Sequence, residues 1–135
     1  MRLFFSLLFA LVAVGCAAPL TAAVVTVNTS HDAIVKTHDT LEQIDASDQK
    51  ACVDAATTQE IGETCLAATR AKYAPAWAAY VKVRLAWLIA YAAVNTAVNL
   101  DSWGRTRPDL SSMLSALEGL GDAWGEFSSL IGRKP

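Results

Sequence analysis

From Tyr73 to Val98 one set of side chains returns at alternating steps of four and three: Tyr73, Trp77, Tyr80, Arg84, Trp87, Tyr91, Val94 and Val98. All but Arg84 are apolar or aromatic. This is a sustained heptad seam, a spacing that packs one helix along another. Val81, Leu85, Leu88 and Ala92 form a second seam beside it. Ala86, Ala90, Ala93 and Ala97 form a third, thin face where another backbone can come close. A helix that is apolar nearly all round belongs at the centre of a bundle. The pattern predicts such a helix over residues 63–100. Pro75 falls inside it, removes one backbone hydrogen bond, and predicts either a kink or the true start of the helix.

A central helix needs neighbours, and the chain supplies two. Over residues 24–58, Ile34, Leu41 and Ile44 mark a stripe, with His31, His38 and Asp45 beside it at seven-residue steps. From Pro108 or Asp109 to Gly132, Leu110, Met113, Leu117, Leu120, Trp124, Phe127 and Ile131 repeat by three and four. Gly119, Gly121 and Gly125 weaken this last helix by up to about 1 kcal/mol each relative to Ala. Their expected role is a close approach to the central helix. The first turn is expected around Thr57–Gly62, with Gly62 in the left-handed conformation found past a helix C-terminus. The second is expected over Asp101–Pro108, punctuated by Gly104 and Pro108. No hairpin turn dipeptide separates alternating runs, so strand signals are lacking. The expected fold is all-α: an antiparallel three-helix bundle, or a long helical hairpin plus a third helix.

Charge sharpens the pairing. Residues 17–63 hold eight acids and two bases, whereas residues 64–107 hold six bases and one acid, Asp101. An acidic segment beside a basic one favours packing the first helix along the second, though each exposed pair contributes at most about 1 kcal/mol. Arg84 is expected to stack on the seam's rings and pair with an acid of the first helix. Beyond residue 15 the chain has 10 Lys and Arg against 13 Asp and Glu, only Arg2 lying before it. A net charge of −3 is not the basic footprint of a nucleic-acid binder.

The first residues read as an address. Met1-Arg2 precedes the apolar run Leu3–Val14, which ends in Gly15, Cys16, Ala17 and Ala18. One positive charge before a short apolar core is the layout of a secretory signal. A span needs roughly 20 apolar residues, so the run is short for one. Ala13-Val14-Gly15-Cys16 resembles the lipobox of bacterial lipoproteins, over residues 1–16 only; Ala13 stands where Leu is commonest. The resemblance implies a diacylglycerol on Cys16, cleavage before it, and a membrane partner reached through that lipid. Ala17, where an Asp would favour inner-membrane retention, points to the outer membrane. Ordinary cleavage after Ala18 or near Ala22-Ala23, and an uncleaved anchor, are the alternatives. The domain reading is a signal peptide over 1–15, a lipid-anchored tether over 16–23 and a helical domain over 24–135. With Cys16 lipidated, Cys52 and Cys65 remain, and export into an oxidising compartment favours a disulfide between them over two free thiols. Such a bridge would staple the hairpin near its first turn, contributing about 3 kcal/mol in the chain-entropy model.

Catalytic signals are lacking. Ser111, Ser112, Ser115, Ser128 and Ser129 have no nucleophile-elbow context, and there is no glycine-rich phosphate loop. His31 and His38 lie two turns apart on a helix, roughly 10 Å, too far to share an ion. His38 and Glu42 are close enough, but a third ligand is not evident. Asn95 and Asn99 on the central helix are expected to set register or to face water. The reading is therefore a protein without enzyme activity, metal or cofactor. Its interaction surface is expected along Tyr73, Trp77, Tyr80, Arg84, Trp87 and Tyr91, toward a protein partner or a second copy. The alternative is a two-span membrane protein using residues 3–15 and 81–100, which resembles holins in layout alone. A carrier of a small apolar molecule between helices is the third class.

Overall fold

The computed structural model describes residues 19–102 and 110–131; residues 1–18, with the expected signal and Cys16, and residues 103–109 and 132–135 lie outside the described residues. Three helices follow in order: α1 (Pro19–Ala55), α2 (Gln59–Ser102) and α3 (Leu110–Ile131). Among the described residues there is no strand. The fold is all-α, and α2 packs against both α1 and α3.

The pairing is antiparallel on both sides. Along the sequence of α1, His31, His38, Asp45, Asp48 and Cys52 meet Trp87, Tyr80, Trp77, Tyr73 and Cys65 in turn. On the other side Lys82 meets Glu126 and Tyr80 meets Phe127, while Ala86 and Ile89 border a groove with Ser112, Ser115 and Gly119. Each helix buries a heptad row: Val27, Ile34 and Leu41 on α1, Val83, Ala90 and Ala97 on α2, Met113, Leu120 and Phe127 on α3. Seven-residue steps keep one side of a helix against its partner along the whole contact. The thin alanine face of α2 is thus closed, with Ala90 and Ala97 buried and Ala86 and Ala93 half-buried.

Lengths divide the molecule. At 1.5 Å per residue the 44 residues of α2 reach about 66 Å and the 22 of α3 about 33 Å. The apolar core accordingly runs from Ala23 to Leu41, Ala79 to Ala97 and Met113 to Phe127. This is a three-helix base. Beyond it Asp45–Ala55 and Gln59–Trp77 continue as a two-helix arm, in which Cys52, Gly62 and Thr69 are the buried residues.

Several boundaries differ from the sequence expectation. Residues 19–23, read as tether, are helical: Pro19 opens α1, where its fixed φ suits the first helical position, and Ala23 is in the core. The Thr- and Val-rich opening stays helical while Thr29 and Ser30 donate to the carbonyls of Val25 and Thr26, bonds that cap carbonyls within the helix. Gly62 does not end a helix. It lies in the first turn of α2, where the Thr58 hydroxyl accepts a hydrogen bond from the Ile61 amide at 3.3 Å. An added Cβ at Gly62 would meet the Ala56 Cβ at 3.2 Å, so the glycine serves close approach rather than a left-handed backbone. Pro75 lies inside α2, not at its start. The carbonyl it leaves without an amide partner belongs to Ala71, which is exposed to water. Gly119, Gly121 and Gly125 have open space where a Cβ would stand, so none of them brings α3 closer to α2.

Candidate functional site

The residues singled out from sequence converge on the α1–α2 interface. Its lower part is polar and aromatic. Asp48, half-buried on α1, accepts hydrogen bonds from the Tyr73 hydroxyl at 2.6 Å and the Lys72 ammonium at 2.9 Å. Both donors favour the charged carboxylate and hold the Asp48 pKa below its ordinary value, the tyrosine contributing most. The same contacts push Lys72 and Tyr73 up, each chiefly through its hydrogen bond to Asp48. One turn further Asp45 accepts from the Trp77 Nε1 at 2.9 Å. Higher still the Trp87 Nε1 donates to the Val27 carbonyl at 2.9 Å.

The two histidines lie between these clasps. The His31 ring lies 4.9 Å from Trp87, and His38 lies 5.6 Å from Trp77 and 5.3 Å from Tyr80. They contact α2 through rings, filling the layers between Val27, Ile34 and Leu41. Tyr80 also meets Phe127 of α3 edge-on at 6.5 Å, so one buried tyrosine touches all three helices.

The expected interaction seam is therefore largely occupied from within. Tyr80 is buried, and Tyr73, Trp77 and Trp87 are half-buried against α1. Tyr91 stacks on Trp87 at 5.2 Å and is exposed on its other side. Arg84 departs from expectation: it is exposed and makes neither an ion pair nor a ring contact among the described residues. The cation that meets α1 is Lys72, whose Nζ also lies 4.9 Å from the Tyr73 ring centre. Lys82 turns to Glu126 of α3 instead. Asn95 and Asn99 are both on the exposed side of α2, so neither sets register from within the core.

Cys52 and Cys65 are bridged, with Cα atoms 5.6 Å apart, and the Cys52 sulfur lies 3.3 Å from the buried Thr69 hydroxyl. A third group does stand beside His38 and Glu42. The ligand atoms of His38, Asp39 and Glu42 lie within 4.8 Å of one another, His38 Nδ1 being 3.4 Å from Asp39 and 3.8 Å from Glu42. Sequence spacing missed Asp39 because adjacent helical residues point about 100° apart; the two side chains bend toward each other. Both carboxylates are exposed to solvent.

A groove of about 650 Å³ lies between α2 and α3, lined by Ala86, Ile89, Ser111, Ser112, Ser115, Ala116 and Gly119. It is open to solvent along its length. A site that sequesters a small molecule covers most of its surface, so the groove suits a docked surface better than an enclosed ligand. Comparison with family models, with curated proteins and with solved structures finds no match for this chain.

Proposed function

We propose that this chain is a non-catalytic envelope lipoprotein: a small helical interaction module, carried on the periplasmic side by a lipid on Cys16 and more suited to the outer than the inner membrane. The observation that carries the reading is the Cys52–Cys65 bridge. Disulfides persist in oxidising compartments and are rare in the cytosol, so the bridge supports export independently of the leader. The clasp residues support the rest. Asp45, Asp48, Lys72, Tyr73, Trp77 and Trp87 all hold one helix to another, which is the use of polar groups in a scaffold.

The experiment is the intact mass of the protein recovered from its host's membrane fraction, with and without thiol reduction and alkylation. A mass of residues 16–135 plus a diacylglyceryl group, with two thiols appearing only on reduction, is the expected result. A full-length mass would remove the lipoprotein reading. It would favour the two-span membrane protein, for which one observation speaks: Gln59–Asn99 is long and apolar enough to cross a bilayer by length and composition.

A further inference from the structure

Packing α1 and α3 on α2 leaves one face of α2 bare. Ala74, Ala78, Val81, Leu85, Leu88 and Ala92 repeat along it by four and three, with no polar residue among them. Val81 is 52 % exposed, Leu85 55 %, Leu88 47 %, and Ile89 at the edge of the stripe 63 %. Only 22 % of the most apolar part of this helix is buried inside the fold. The second sequence seam thus has no internal partner, while the first has one. A contiguous apolar face of this extent marks a docking surface.

Charge decides what docks. No acid occurs in α2 from Thr64 to Leu100, where Arg70, Lys72, Lys82 and Arg84 are the charged residues. Arg84 flanks the stripe on one side with no ion-pair partner among the described residues, Arg70 stands exposed one turn before Ala74, and Lys82 on the other side is held by Glu126. A second copy laid antiparallel on this face would set base against base, and Glu126, the acid beside Lys82, already has its own cation. An anionic lipid surface answers both features: apolar side chains enter the acyl boundary while long cationic side chains reach up to the phosphates. Each basic residue near such a surface adds to the attraction. The stripe spans 19 residues, about 27 Å end to end, and so offers the membrane a line rather than a point.

We infer that α2 lies along an anionic bilayer on its Ala74–Ala92 stripe, with Arg70 and Arg84 on the lipid phosphates. This rests on the membrane address proposed above and extends it. α1 begins at Pro19, so a lipid on Cys16 leaves only Ala17 and Ala18 between the anchor and the domain. Two residues span at most about 7 Å, and the base of the bundle is then held against the bilayer that carries it.

The test uses the protein from its host membrane, oxidised, with a nitroxide on Leu85→Cys and, separately, on the exposed α1 position Lys36→Cys. Each is reconstituted into phosphatidylcholine vesicles with and without 30 % phosphatidylglycerol, and the label's collisions with oxygen and with an aqueous nickel chelate are compared. The expected result is that the Leu85 label, with phosphatidylglycerol present, favours oxygen severalfold over the Lys36 label, and that Arg70→Gln with Arg84→Gln abolishes the phosphatidylglycerol dependence. Equal accessibility at the two positions would overturn the inference. So would spin–spin broadening at Leu85 without vesicles, which would assign the stripe to a second copy. Lipid exposure at Lys36 as well would place the helices within the bilayer and also overturn it. The mass of the same sample separates the two ideas: an unlipidated protein with a shielded Leu85 refutes the anchor alone, and a lipidated one with a water-exposed Leu85 refutes the docking alone.

Discussion

The arm and the base of this molecule are held by different chemistry, although both are built from the same α1–α2 pairing. In the base, three helices bury Val27, Ile34, Val83, Met113, Leu120 and Phe127, and hydrophobic burial dominates. In the arm no third helix covers a seam among the described residues. Two helices alone leave any shared apolar face half in water, and the chain there uses a disulfide, the Asp48 clasp with Lys72 and Tyr73, and the Asp45–Trp77 hydrogen bond. Where burial is geometrically limited, directional bonds and a covalent link take its place.

The sharpest way to break that contrast is to cut the core. Phe127→Ala removes a fully buried ring that faces Tyr80 and Trp124. It should cost about 3–5 kcal/mol, read as a loss of thermal stability with α3 released first. Cutting the arm should come next. Replacing Cys52 and Cys65 together by Ala should cost about 3 kcal/mol in the chain-entropy model, with faster amide exchange confined to residues 45–77 while the base keeps its protection. If the base loosens equally, the two regions are one cooperative unit and the contrast fails.

Smaller effects sharpen it. Gly121→Ala and Gly125→Ala should each raise stability, by up to about 1 kcal/mol, because nothing stands where the methyl would go. Gly62→Ala should not do so, since Ala56 lies 3.2 Å from the new Cβ. The smallest effect is electrostatic. Asp48 has a lower pKa folded than unfolded, so its contribution is complete above the unfolded carboxylate range and fades as pH falls through the folded value. Lys72 and Tyr73 are raised, so their contribution is complete below their unfolded values and fades as pH rises through the folded ones. Asp48→Asn should therefore lower the melting temperature slightly near neutral pH and approach the wild type at strongly acid and strongly alkaline pH.

These regions were not equally legible in the sequence. Three helices, the antiparallel order and the Cys52–Cys65 staple follow from heptad spacing and cysteine placement, which are local properties of the chain. Periodicity tells which residues share a face, but not which of two apolar faces a partner takes. Tyr73, Trp77 and Trp87 read as a surface because α2 is apolar on several sides; α1 covers them, and the aliphatic seam through Leu85 and Leu88 is left outside. Arg84 was misplaced for the same reason, its heptad position lying at the rim of the covered face. The glycines of α3 suggested close packing by composition, but only geometry shows the space beside them to be empty.

Heptad-built interfaces carry an ambiguity of alignment. His31-Asp32 recurs at His38-Asp39, and Val27, Ile34 and Leu41 are near-equivalent volumes, so α1 slid by seven residues would set histidine on aromatic and aliphatic on alanine almost as before. The displacement would be about 10 Å. The bridge forbids it, because Cys52 and Cys65 meet with their Cα atoms 5.6 Å apart in one alignment only. The disulfide thus acts as an index mark on a ruler with evenly spaced lines: it selects, among pairings that side-chain chemistry barely distinguishes, the one in which Asp48 finds Tyr73.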